Sequence, residues 1–172
     1  MRRLFFILVL FLLFNVNVFA QQVKIGIVDM QRALVESKEG IEAKREISKK
    51  AEAMQAELKQ LQQELDKLRS EIEKQSSFLS EEAKAEKQNV FQKKVKEFQN
   101  RYKDAQDELQ QKDAELTKKI VQRLEKILQK IGEEEKYTVI LEKNSSGIFY
   151  FDKTIDLTDI LIKKANEDSG KK

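Results

Sequence analysis

Apolar residues recur through the middle of the chain at steps that alternate four and three. From Ile47 they fall at Ala51, Met54, Leu58, Leu61, Leu65, Leu68 and Ile72, then run out through Gln75 and Leu79. That spacing is the heptad seam of a helix built to lie against another helix. A second run repeats it at Phe91, Val95, Phe98, Tyr102, Ala105 and Leu109. It then stretches through Leu116, Ile120, Leu124, Ile127 and Ile131, a longer period that relaxes the supercoil. The residues between are mostly Lys, Glu, Gln and Arg, which are strong helix formers, and the chain contains no proline. The pattern predicts two helices across residues 41–131, folded back on each other as an antiparallel hairpin. Each has about 40 to 50 residues and should reach roughly 60–75 Å. A single continuous rod is the rival reading. The seam loses phase where Ser76, Ser77 and Ser80 interrupt it, and Ser80 followed by Glu81 and Glu82 suits a helix N-cap with acids in the first turn. The reversal is therefore placed near residues 75–82.

The pattern changes on either side of this arm. Residues 23–28 are β-branched and roughly alternating, which predicts a strand. Asp29 is placed to cap a short helix, residues 30–36, with Met30, Ala33 and Leu34 on one side. Gly40 is expected to mark a bend before the arm, and Gly132 to stop the returning helix. Residues 137–142 and 147–151 read as two further strands joined by a turn at Asn144, Ser145, Ser146 and Gly147. Asp156 with Asp159 three positions on opens a last helix through about Ala165, and the tail beyond Glu167 is expected to be loose. Residues 21–40 and 132–172 thus converge into one small α+β body from which the arm projects. A core of roughly 60 residues is marginal by itself, and three short strands leave exposed edges. Closing sheets from several copies into one barrel-like body would cover those edges, so homo-oligomerisation is expected. The residues assigned to that assembly are Ile25, Ile27, Val139, Leu141, Ile148, Tyr150, Ile155, Asp156, Leu157 and Thr158.

Residues 1–20 have the organisation of a secretory leader. Arg2 and Arg3 precede an apolar run from Leu4 to Phe14, and Val18-Phe19-Ala20 fits a small-x-small cleavage site. The run is shorter than the ~20 residues needed to cross a bilayer, which disfavours an uncleaved anchor. There is no cysteine, so neither a lipid-anchoring thiol nor a disulfide is available, and secretion without cysteine suits a bacterial periplasm. The formal net charge of +3 falls to +1 once the two leader arginines are removed. Charge that dense and that balanced is the solvated surface of a coiled coil rather than a nucleic-acid-binding face.

Residue types narrow the chemistry further. The chain has no histidine and no cysteine, which removes Ser-His-Asp triads, Cys-His pairs and conventional zinc sites. Its glycines, at 26, 40, 132, 147 and 170, are too scattered for a phosphate-binding loop. No enzyme activity, cofactor or metal is expected. Phe91, Phe98 and Tyr102 are read as hairpin core. Two groups are candidates for contact with another molecule. Phe78 and Leu79 lie near the tip, where apolar groups are hardest to bury. Lys84, Lys87, Lys93, Lys94, Lys96, Arg101 and Lys103 form a basic stretch, either a solvated helix face or a surface for an anionic partner such as lipid or a polyanionic saccharide.

The opening strand Lys24-Ile25-Gly26-Ile27-Val28-Asp29-Met30-Gln31-Arg32, Gly40 before a long charged hairpin, Tyr137-Thr138-Val139-Ile140-Leu141, and Ile155-Asp156-Leu157-Thr158 before an amphipathic helix together resemble the Skp (OmpH-like) periplasmic chaperones. The resemblance covers the whole mature chain, and its terminal segments are more specific than the hairpin. It implies a jellyfish-like homotrimer with a β-rich body and three helical arms around a cavity. It also implies ATP-independent holding of unfolded outer-membrane β-barrel proteins. A lipopolysaccharide or anionic-lipid surface is a further possible partner, and no nucleic acid is expected. A structural or adaptor coiled coil of the periplasm is the alternative, and a polyanion-binding protein a more distant one.

The leader makes the first testable statement. Mass spectrometry of protein recovered from the periplasm should read Gln21, free or cyclised, as the first residue. An intact Met1 found in the membrane fraction would overturn the assignment.

Overall fold

The structure is a computed structural model, and it describes residues 23–75, 77–145 and 147–170. The leader and its cleavage point lie outside the described residues. Strand β1 (Ile25–Val28) is followed by helix α1 (Met30–Glu36), the long helices α2 (Lys38–Gln75) and α3 (Glu81–Glu134), strand β2 (Val139–Glu142), a 3-10 turn (Lys153–Ile155) and helix α4 (Thr158–Ser169). β1 and β2 pair in parallel, Ile25 opposite Val139 and Val28 opposite Glu142. Parallel neighbours need a connection that returns to the starting end. Here α1, α2 and α3 make that connection.

Local chemistry accounts for each boundary. The Asp29 carboxylate accepts the N–H of Arg32 at 2.8 Å and so caps α1. That bond, with contributions from Lys143 and Asn144, holds the Asp29 carboxyl below the ordinary carboxylate range. The bend between α1 and α2 falls at Ser37, not at Gly40. The Ser37 hydroxyl accepts the Gly40 N–H at 3.2 Å and donates to the Leu34 carbonyl at 3.2 Å. Gly40 sits in the first turn of α2 for a different reason: a Cβ there would run into the Leu34 carbonyl oxygen. At the reversal the Ser80 hydroxyl accepts the Ala83 N–H at 3.3 Å and caps α3.

Three expectations for the C-terminal segments are corrected. Helix α3 passes Gly132 and continues to Glu134. The Tyr137 N–H donates to Gly132 O at 2.9 Å and the Lys136 N–H to Glu133 O at 3.3 Å, with Lys136 at φ 56°. This is a Schellman ending in which lysine occupies the left-handed position that glycine usually takes, so glycine content misplaced the stop. Residues 147–151 form no strand. The other edge of β1 is covered instead by an isolated parallel bridge between Ile27 and Asp156, with the Leu157 N–H donating to Ile27 O at 2.7 Å. Finally, the Asp156 carboxylate accepts the Thr158 N–H at 2.9 Å. Asp159, expected as its capping partner, instead pairs with Arg32, and α4 runs on to Ser169.

The core lies where these pieces meet. Val28, Ala33, Ile120, Leu124, Ile127, Ile131, Leu161 and Ala165 form one buried cluster, with Met30, Leu34, Tyr137 and Ile140 packed against it. The seam residues of α3 beyond Leu116 therefore belong to the body as much as to the arm. Arg123 ties the base together by pairing with Glu39 on α2 and with Asp168 on α4.

These contacts set opposite signs for two substitutions. Gly40→Ala should destabilise the fold by about 1–3 kcal/mol, because backbone must move to admit the methyl group. Lys136→Gly should stabilise it by up to about 1 kcal/mol, by relieving the left-handed strain. Urea unfolding followed by circular dichroism, at one fixed protein concentration, measures both.

Candidate functional site

The arm is the feature with surface to offer another molecule. Along α2 the seam places Ala51, Leu58, Leu65 and Ile72 at heptad position a, with Met54, Leu61 and Leu68 at d. In α3, Val95, Tyr102 and Leu109 fall at a, and Phe91, Phe98 and Ala105 at d. Met54, Leu65 and Ala105 are buried, and the remainder are half-buried apart from Tyr102. Tyr102 was expected in the hairpin core, yet it is 50% exposed. Its ring lies 6.5 Å from that of Phe98, stacked at 28°. Its hydroxyl accepts the Gln106 side-chain N–H at 3.2 Å. A phenol at a seam position keeps its polar end in water, which tips the ring outward.

One flank of the seam is an ion-pair ladder. Arg101 donates from Nε and Nη2 to the two carboxylate oxygens of Glu57, both at 2.7 Å. Lys50 pairs with Glu108 at 3.4 Å and Lys112 with Glu46 at 3.0 Å. Residue numbers fall on α3 as they rise on α2, so the two helices run antiparallel. Lys50, Glu57 and Glu64 occupy successive g positions of α2, and Lys94, Arg101 and Glu108 those of α3. Hydrogen bonding to Arg101 holds the Glu57 carboxyl below its ordinary range, and the same contact raises the Arg101 pKa. The Lys94 pKa is raised mainly by Glu97 and additionally by Glu64 across the seam.

The sequence candidates distribute unevenly over this frame. Phe78 stands at the reversal 90% exposed, whereas Leu79 beside it is half-buried. Lys84 is paired to Glu81 at 2.7 Å, Lys94 to Glu97 at 2.9 Å, and Lys87 donates to the Gln75 side chain at 2.7 Å. Lys93 and Lys96 line a shallow hollow on α3 that also includes Glu97, Arg101 and Asp104. The basic stretch is thus interleaved with acids supplied by helical periodicity, and Arg101 is committed to Glu57 and Glu108.

In the body, Ile27, Leu157 and Thr158 are buried within the chain's own core. Leu141, Ile148, Ile155 and Asp156 are half-buried. Ile25, Val139 and Tyr150 are exposed, as are Val23 and Phe149, which sequence reasoning had not singled out. Ile25 and Val139 sit opposite each other in the sheet. Val139 and Ile140 also line a hollow of about 510 Å³ with Leu128, Gly132 and Tyr137. The signal that would have found Phe149 was the aromatic run Phe149-Tyr150-Phe151. Among the described residues no group of acidic side chains is arranged to hold a metal ion, and no helix is long and apolar enough to cross a membrane.

The family described as outer membrane protein (OmpH-like) matches residues 24–164. No curated protein matches the chain. Among solved structures, a crystal structure of a candidate outer membrane chaperone (OmpH-like) from Caulobacter crescentus CB15 superposes with a TM-score of 0.80 at 17% identity, covering 85% of each chain. At that identity the likeness is one of fold.

The ladder generates a test of the arm's register. Glu57→Arg alone should lower the Tm, and the swap Glu57→Arg with Arg101→Glu should recover it, as expected for a directly coupled pair. The acid dependence has a defined sign. The folded Glu57 carboxyl lies below its ordinary value, so its contribution is present above about pH 4.5 and fades as pH falls through its folded pKa. A variant with Gln at both positions should lose that part of the acid sensitivity in thermal melts between pH 3 and 6.

Proposed function

Because this chain belongs to the OmpH-like outer membrane protein family, we propose that it is an ATP-independent periplasmic holdase. It keeps unfolded outer-membrane β-barrel proteins from aggregating before they insert. The observation that carries this reading is the arm: two paired helices of 38 and 54 residues whose outward positions are almost entirely polar. Such a surface has no deep apolar pocket for tight binding of one partner. It suits many weak contacts spread along a mobile chain, where high local concentration substitutes for affinity at any one point. Unfolded barrel strands alternate apolar and polar residues and aggregate in water until membrane-inserted.

The working unit in this proposal is a homotrimer joined through its bodies, with the arms around a common cavity. The exposed Val23, Ile25, Val139, Phe149 and Tyr150 support it, since a body this small does not cover them from within. The two-stranded sheet also leaves β2 with an open edge, and an unpaired edge is a template for pairing with another chain. Holding a client this way calls for no catalytic group and no nucleotide.

Shortening both helices by two heptads removes about 21 Å of reach while leaving the body whole. A urea-unfolded porin is diluted into buffer with the intact or the shortened protein, and turbidity is followed. Intact protein should suppress aggregation without ATP, and the shortened form should do so poorly while keeping the same oligomer mass by light scattering. Equal protection by both would rule out the arm as the holding element. Failure of both would favour an adaptor coiled coil instead.

A further inference from the structure

The two flanks of the arm seam differ in chemistry. On the ladder flank every g position from Lys50 to Glu64, and from Lys94 to Glu108, carries a charge. The opposite flank is made by the e positions, Gln55 and Gln62 on α2 and Gln92, Gln99 and Gln106 on α3. All five side chains are exposed. Among the described residues no ion pair or hydrogen bond joins the two helices on this flank. Gln62 donates to Asp66 and Gln106 to Tyr102 within their own helices, and each of these bonds uses one of the two donors its amide carries. In a chain with 37% charged residues, a flank of amides at heptad spacing stands apart, and Arg69 and Asp113 bound it at its two ends.

We propose that this amide flank is the surface that grips client polypeptide, its glutamine side chains bonding to the backbone peptide groups of an extended segment. This deepens the holdase reading and rests on it. A glutamine amide offers both donors and acceptors, the same complement that an unfolded backbone presents in every residue. Recognition through the backbone is indifferent to client sequence, as holding of varied clients demands. Uncharged amides also lose less on shedding water than the paired charges opposite would. The half-exposed Tyr102 ring beside Gln106 adds an apolar contact for the alternate side chains of such a segment.

From Gln92 to Gln106 the flank spans 14 helical steps, about 21 Å. That length accommodates roughly six residues of extended chain at 3.3 Å each, so one flank would hold part of a transmembrane β-strand of about 9–11 residues.

The test uses the full mature protein. Gln55, Gln62, Gln92, Gln99 and Gln106 are changed together to alanine, a strong helix former. A control carries Gln60→Ala, Gln63→Ala, Gln111→Ala and Gln122→Ala, exposed glutamines off this flank. The dissociation constant for a urea-unfolded, fluorescently labelled porin is measured, with helicity and oligomer mass checked in parallel. The flank variant should bind roughly tenfold more weakly, about 1.4 kcal/mol, and the control as wild type. In the otherwise unaltered protein, a photo-crosslinking residue at position 99 should capture the porin and one at position 63 should not. Wild-type affinity in the flank variant, equal losses in both variants, or capture only from position 63 would overturn the assignment while leaving the holdase reading intact. No binding of the porin by the wild-type protein would remove both.

Discussion

Two strands lying side by side and running the same way cannot be joined by a tight turn, so the chain between them must travel out and back. In this protein that excursion is the arm. β1 ends at Val28 and β2 begins at Val139, yet they are hydrogen-bonded neighbours, and the helices between them return to within one strand spacing of where they left. The arm is therefore part of the body's own topology. The seam that pairs its helices also brings β2 to β1, because a heptad of slip would displace Val139 by about 10 Å and break the sheet. The charge ladder from Lys50 to Glu108 selects one alignment among those the apolar seam alone would tolerate.

The same constraint explains how the core is shared. Ile120, Leu124, Ile127 and Ile131 on α3 pack against Val28, Ala33, Leu161 and Ala165, so the returning helix enters the body as its central element. Arg123 fastens that helix to both α2 and α4. Farther out, the helices have only each other, and seam residues there are mostly half-buried. Burial of the seam is thus deepest at the base. A well-buried base with a less buried outer arm fits the proposed holdase, whose arm would adapt to clients of many shapes.

The proposed function draws on distributed chemistry. Neither the basic stretch nor the tip forms a compact site: Lys84, Lys87 and Lys94 are tied to neighbours, and at the tip the exposed Phe78 adjoins a half-buried Leu79. What the arm offers instead is repetition, with one flank closed by ion pairs and the other lined by amides. Specificity for the unfolded state can arise from such a surface because a folded protein has already satisfied its backbone groups internally.

The sequence by itself determined the two long helices, their seam and the caps at Asp29 and Ser80, because those features depend on periodicity and on neighbours within a few residues. It also carried the body's strands β1 and β2 through their β-branched runs. Tertiary structure alone decided the rest. Residues 147–151 have strand composition, but a strand exists only where a partner edge meets it, and the free edge of β1 is taken by Asp156 through a pairing 129 residues distant. Gly132 looked like a helix stop, but burial of Ile131 against the core carries the helix past it, and the stop falls on a lysine. Lysines spaced along α3 read as one basic patch in a line of letters. The helix turns them among acids, and α2 supplies Glu57 and Glu64 from the other side. Local spacing is written in the chain, whereas which edge or charge stands opposite depends on segments that meet only after folding.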